Sequence, residues 1–229
     1  MKSALHLHIT PLPLSWPTHM MKTLIVTLLL ASVASAQTPL FDGTTFTGWE
    51  GDTEKTWRIE DGAIVAGSSG QKQPHNSYLA TTKSYADFEL TLQWKIDSND
   101  GFMNGGVPFR AERLPDGARE VSGYQADLGG GYDGVLYDWV RRKKPLARPA
   151  PEVLAQAQKP VGEWNHYRIR AEGSHIRLWL NGVLTADYQE QDPDIATSGV
   201  IGLQTHGGAL SVVRYKDIVI TELPNAGRK

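Results

Sequence analysis

The feature that most constrains this chain is strict period-two alternation of apolar and polar residues. In "DFELTLQWKI", Phe88, Leu90, Leu92, Trp94 and Ile96 share one face, and Glu89, Thr91, Gln93 and Lys95 share the other. Successive strand side chains point to opposite faces, so this pattern predicts a half-buried β-strand. "HIRLWLNGVLTADY" alternates Ile176, Leu178 and Leu180, then resumes with Leu184, Ala186 and Tyr188 after Asn181-Gly182. Asn-Gly tolerates positive φ at both central positions and predicts a type I′ hairpin. "TWRIEDGAIVAG" repeats the arrangement around Asp61-Gly62. Further strands are expected near 105–111, 121–128, 134–138, 164–171, 198–206 and 211–222. The single helical fragment is "APEVLAQAQ", 150–158, with Pro151 suited to the first turn. Many short strands joined by Gly and Pro turns predict an all-β sandwich or jelly roll.

The 229-residue chain opens with a different kind of segment. "MMKTLIVTLLLASVASAQ" carries Lys22, an apolar run from Leu24 to Leu30, and small residues at Ala34 and Ala36. This is the pattern of an export signal cleaved after Ala36, and the run is too short to span a bilayer. Residues 1–36 are therefore expected to be leader, with 37–229 a single β domain working in the periplasm or outside the cell. The Pro- and His-rich stretch before Met20 reads as a start assigned too early, and its His6 and His8 carry no metal assignment. The formal net charge of −2 becomes more negative once Lys2 and Lys22 are removed. It offers no footprint for nucleic acid or an anionic membrane. With no cysteine, an exported domain must rely on its core rather than disulfides.

Residues at i and i+2 on a strand share a surface, so polar pairs can be assigned to faces. In "VIGLQTH", Ile201 and Leu203 fix the inward side, which turns Gln204 and His206 outward. In "GYQADL", Tyr124, Ala126 and Leu128 look inward and leave Gln125 with Asp127 outside. In "GGVPFRAE", Val107 and Phe109 go in and Arg110 goes out. If these strands are neighbours, they form a patch with a cation, a carboxylate, an imidazole and two amides, a mixture suited to polyhydroxylated ligands. The same pattern equally describes an ordinary solvated sheet face.

"LFDGTTFTGWE", "GGVPFR", "GYQAD", "EWNHYRIRAEG", "WLNG" and "GVIGLQTHGG" followed by "VVRYKDIVI" occur in this order. Together they resemble the domain of unknown function 1080 family, also called the 3-keto-disaccharide hydrolase or 3-keto-glucoside 1,2-lyase/hydratase domain. The resemblance covers roughly 38–223. It implies a concanavalin A-like, laminin-G-like β jelly roll, in agreement with the strand pattern. Two positions depart from the family's usual blocks. Gly105 stands where many members have serine, and Gln125 where many have glutamate, which leaves Asp127 the one carboxylate of its block.

The resemblance implies action on glucosides already oxidised at C3. The ketone acidifies the C2 proton, a base removes it, the C1 substituent departs, and water can then add. Such a site needs a base, a stabiliser for the enolate oxygen and a proton donor. The resemblance points to His206 as acid or base, with Asp127 to orient it, bind metal or act as base. Arg110 is the candidate for the enolate or sugar hydroxyls. Gln125 and Gln204 would bind hydroxyls, Tyr137 would sit at the rim beside Asp138, and Trp179 would offer a stacking face. A divalent cation on Asp127, His206 and a further oxygen is compatible with these ligand types. "DSNDG", 97–101, lacks the later ligands of a calcium loop and reads as a turn. "GGGYDG" lacks a βαβ context and reads as a glycine turn rather than a phosphate cradle. No nucleophile-elbow motif is present. The "RRKKP" run, 141–145, reads as a solvated loop. The expected partner is a carbohydrate. The competing reading is a noncatalytic, lectin-like glycan-binding module, because fold alone does not fix function.

Overall fold

The computed structural model describes residues 36–98, 101–115 and 120–224. The leader assigned to 1–36 and part of "DSNDG" lie almost wholly outside these residues. The strands are β1 (Gln37–Pro39), β2 (Trp49–Glu50), β3 (Arg58–Glu60), β4 (Ala63–Gly67), β5 (Ser77–Thr81), β6 (Phe88–Asp97), β7 (Gly105–Arg113) and β8 (Val121–Leu128). They continue with β9 (Leu136–Trp139), β10 (Lys144–Ala147), β11 (Asn165–Glu172), β12 (His175–Leu180), β13 (Val183–Gln189), β14 (Gly202–Thr205) and β15 (Val212–Glu222). One short helix, α1 (Pro151–Ala157), starts on Pro151 as its sequence predicts. Among the described residues no helix is long and apolar enough to cross a membrane.

The strands form two antiparallel sheets. The first has the order β13-β12-β11-β6-β15-β4-β3, with β1 also paired to β15; the second runs β10-β9-β8-β7-β14-β5-β2. The alternation predicted for β6 is realised residue by residue, with Phe88, Leu90, Leu92, Trp94 and Ile96 buried between the sheets. From the second sheet, Val107, Phe109, Tyr124, Ala126, Leu128, Ile201 and Leu203 complete the same core. Phe109 stacks on Tyr124 at 5.7 Å and meets Phe88 edge-on at 6.2 Å, which ties the two layers together. Each such large side chain contributes roughly 1.5–3 kcal/mol when fully buried, and no disulfide is available to substitute for them. The result is a jelly-roll β-sandwich of the concanavalin A-like kind.

Both predicted hairpins form, with φ of 50° and 86° at Asn181 and Gly182 and 50° and 73° at Asp61 and Gly62. Beyond the Asn-Gly turn the register departs from simple alternation. Leu178 pairs with Ala186 but Trp179 pairs with Leu184, so the bulge at Thr185 turns Leu184 outward, where it is exposed. Strand β5 was not expected from alternation, because Ser77 to Thr81 is buried on both faces and presents no polar rhythm. The short strands β1, β2 and β10 carry too few residues to display a period.

Candidate functional site

The outer face of the second sheet carries a polar row that its pairing assembles from four distant segments. Gln204 on β14 lies opposite Tyr78 on β5 and opposite Gly106 on β7, and Gly106 lies opposite Asp127 on β8. Gly106 leaves a gap in this row. Gln125, two residues before Asp127, lays its side chain there, so that a Cβ at position 106 would meet Gln125 Cδ and Nε2 at 2.5 Å. From this position Gln125 Nε2 donates to Asp127 Oδ1 at 2.5 Å and to Gln204 Oε1 at 2.9 Å. Gln204 Nε2 in turn donates to the Tyr78 hydroxyl at 2.8 Å. The row is also fixed from behind, across the core. Tyr215 of β15 donates toward the carbonyls of Gln204 (2.7 Å) and Gly106 (3.2 Å). Tyr167 of β11 donates to the Asp127 carbonyl and accepts the Gly134 N–H at 2.7 Å.

This row floors a cleft with about 510 Å³ of empty space, counting the solvent at its mouth. Asn104, Gln125, Asp127, Gln204 and His206 supply its polar surface; Phe102, Tyr132, Tyr137 and Trp139 supply its walls. The aromatic rings form a connected series, Tyr132 to Tyr137 at 6.5 Å and Tyr137 to Trp139 at 6.0 Å, and His206 lies edge-on to Phe102 at 5.2 Å. Apolar ring faces beside converging amides suit a sugar, which presents C–H faces and hydroxyl edges.

Burial pushes the Asp127 carboxyl from its ordinary 3.8 up to about 7; the Gln125 N–H and the charge of Arg148 oppose that rise, and Asp133 adds to it. Oδ2 carries no hydrogen bond from the described residues. His206 Nδ1 lies 2.6 Å from the Gly207 carbonyl. A carbonyl can only accept, so the proton is assigned to Nδ1 and the neutral ring's lone pair to Nε2. Burial, followed by the Asp127 charge and Tyr132, raises the Tyr137 hydroxyl and keeps it a neutral donor. The cleft thus sets a carboxyl raised to about 7 and an imidazole beside neutral hydrogen-bond donors.

Five of the residues expected from sequence meet here: Asp127, His206, Gln125, Gln204 and Tyr137. Arg110 does not. Its φ is 45° and the β7–β8 register slips between Phe109 and Glu112, so a bulge interrupts the alternation that turned it outward. Its guanidinium is buried against Asp87 at 2.8 Å and donates to the carbonyls of Ala86 and Gly173. Trp179 is also elsewhere, on the outer face of the first sheet with the Arg168 guanidinium 4.0 Å over its ring. Asp138 is fully buried rather than at a rim, paired with Arg141 and Arg142. Those two arginines correct the reading of the basic run: Arg142 also holds Glu190 at 2.6 Å, and Arg141 covers the Tyr124 ring at 4.5 Å. Phe102, Asn104, Tyr132 and Trp139 were not anticipated. Trp139 alone carried a signal, since it continues the alternation of Tyr137.

For a cation, the cleft offers one carboxylate, one imidazole and amide oxygens. Among the described residues no group of three or more His, Cys, Asp or Glu side chains gathers as a metal-binding cluster.

Known proteins resemble this chain to different degrees. A 3-keto-disaccharide hydrolase of Bacteroides thetaiotaomicron is 28% identical over 149 residues, 57% of this chain, and the match spans half of that relative's length. A solved protein of Parabacteroides distasonis, provisionally named a glycosyl hydrolase, superposes with a TM-score of 0.62 at 26% identity, covering 83% of this chain and 95% of its own. The carbohydrate-binding module CBM66 of Bacillus subtilis shares the fold at 16% identity and a TM-score of 0.59, covering 76% of this chain and 96% of its own. Residues 36–221 match the family described as the 3-keto-alpha-glucoside-1,2-lyase-like domain, and the chain belongs to that family.

Proposed function

We propose that this chain cleaves 3-keto-glucosides, with Asp127 as the base and His206 as its proton-transfer partner. The observation that carries this reading is that a carboxyl pushed up to about 7 shares one aromatic-walled cleft with an imidazole. A base for the C2 proton works best with a proton affinity close to the working pH. Asp127 takes the C2 proton, and the electron pair forms the C1–C2 double bond as the C1–O bond breaks. The departing oxygen receives a proton relayed through His206 Nε2, which takes that proton from solvent before passing it on. The negative charge that develops on the C3 carbonyl oxygen is met by the Asn104 amide and the neutral Tyr137 hydroxyl. Addition of water across C1–C2 then gives the free 3-keto sugar, so that elimination and hydration sum to hydrolysis. Family membership supports a carbohydrate-active role. The export-signal pattern read in 1–36 supports a role in the periplasm or outside the cell.

The test is NMR of purified protein with α- and β-linked 3-keto-glucosides in D₂O, with and without added divalent cations. The expected outcome is release of the aglycone, with deuterium at C2 of the hydrated product. Asp127→Asn should lower turnover by about 10²–10⁴-fold. No turnover with any of these substrates would falsify the reading.

The aromatic wall favours a second reading, a noncatalytic glycan-binding module. That reading expects saturable binding of unoxidised sugar, retained in both Asp127→Asn and His206→Ala.

A further inference from the structure

Beside His206 the cleft wall carries a ring that the core does not cover. Phe102 is 49% exposed, one of three large apolar side chains so open among the described residues, with Val161 and Leu184. A lone exposed apolar residue is ordinary, but this one lines a cleft together with Tyr132, Tyr137 and Trp139. We propose that Phe102 is the specificity-determining residue for the leaving group, and that the preferred substrates are 3-keto-glucosides whose aglycone presents an aromatic ring. Its role toward a leaving group rests on the function proposed above; its contact with a ring does not.

The strand order sets the direction. Strands β9, β8, β7 and β14 are neighbours in that order, so Tyr137 on β9, Asp127 on β8 and His206 just after β14 follow one another across the cleft. C3, C2 and C1 follow one another in the same way around the sugar. A substrate with its C3 oxygen at Tyr137 and its C2 proton at Asp127 therefore brings C1 toward His206, and the group bonded to C1 continues past the imidazole. Phe102 stands there, edge-on to His206 with 5.2 Å between ring centroids. Backbone contacts, rather than packing of the ring, hold it in place. The Leu210 N–H donates to the Phe102 carbonyl at 2.9 Å, and the His206 N–H donates to the Asn104 carbonyl at 3.3 Å. Gly130 keeps space beside the ring, since a Cβ there would lie 3.7 Å from Phe102 Cε2. A second sugar as leaving group would need hydrogen-bonding partners on this side. Residues 207–210, which follow His206, are Gly-Gly-Ala-Leu. The nearby Asn76 amide already accepts the Gly207 N–H at 2.8 Å and donates to Glu120 at 3.1 Å. His75 Nδ1 lies 2.9 Å from the Asn76 carbonyl. An aromatic aglycone needs no such partners and stacks on Phe102.

Benzyl and methyl 3-keto-glucosides release alcohols of similar acidity, so a preference between them reports contact with the ring rather than ease of bond breaking. NMR titration of the purified protein, with Asp127→Asn to prevent turnover, should show the benzyl compound binding about three- to tenfold more tightly than the methyl compound. Adding Phe102→Ala should bring that ratio to about one. Phe102→Trp, which keeps a ring, should retain it. An undiminished ratio in Phe102→Ala overturns the proposal. So does tighter binding of a 3-keto-disaccharide than of the benzyl compound, because a second sugar would then be the favoured leaving group. A benzyl preference that depends on Phe102, in a protein that turns over no 3-keto-glucoside, would keep the ring contact and discard the catalytic reading. Turnover of both compounds, with no benzyl preference in binding, would do the reverse.

Discussion

Because burial raises the Asp127 carboxyl from 3.8 to about 7, the folded chain binds that proton more tightly than the unfolded chain does. The associated stability is fully present below about pH 3.8 and is lost as pH rises through about 7. Above pH 7 the folded protein holds a buried carboxylate whose side-chain donor is the Gln125 amide. Asp127→Asn keeps an acceptor for that amide and removes the charge. It should therefore be more stable than the parent at pH 8, by roughly 2–4 kcal/mol as an upper range. The difference should vanish near pH 4. Urea unfolding at both pH values checks this, and an equal effect at the two would contradict the assigned burial. The place of Asp127 on the cleft face was legible because Tyr124, Ala126 and Leu128 fix the inward side of its strand. Its proton affinity was not legible, since that depends on how deeply neighbouring segments cover it.

Strand β7 shows how one element serves two unrelated purposes. Gly106 and Arg110 are four residues apart, and strict alternation would put them on one face. The bulge after Phe109 separates them, leaving Gly106 under the cleft and sending Arg110 to the buried Asp87. Gly106→Ala should force Gln125 out of its place, since its Cβ would lie 2.5 Å from the amide. The expected results are destabilisation of about 1–3 kcal/mol and loss of the Gln125–Asp127 hydrogen bond, read as an upward shift of the Asp127 carboxyl titration. Arg110→Ala removes the cation paired with a buried carboxylate, and should cost about 3–5 kcal/mol in urea unfolding. Where that variant remains folded, KM for a 3-keto-glucoside should be unchanged; a raised KM would return Arg110 to the site. Strands with one buried face were legible in the sequence because alternation records burial directly. The bulges at Arg110 and Thr185 were not, because a bulge is set by pairing with a partner strand. Neither was the Arg110–Asp87 pair, whose members lie on β7 and in the bend just before β6.

At the scale of the molecule, the two sheets share a core and turn opposite outer faces to solvent. Each outer face carries tryptophan. On the first sheet Trp179 is covered by Arg168 at 4.0 Å and flanked by Arg177 at 5.6 Å; on the second, Trp139 walls the cleft and is anchored through Glu120. Sequence made Trp179 the stacking candidate because its strand pattern was clear. It could not reveal that β5, β7, β8 and β14 lie side by side, so the cleft's assembly was hidden. A guanidinium already over the Trp179 ring competes with a sugar for that π face, whereas Trp139 meets the open side of the polar row. Stacking on an aromatic ring is worth on the order of 0.5–1.5 kcal/mol beyond the area it buries. Trp139→Ala should therefore weaken binding of a 3-keto-glucoside by about three- to tenfold, measured by NMR titration with Asp127→Asn as the inactive background. Trp179→Ala, on the opposite sheet, should leave that affinity unchanged. Equal weakening by both substitutions would mean that the ligand does not select the cleft face, and the assignment of the site to the second sheet would fail.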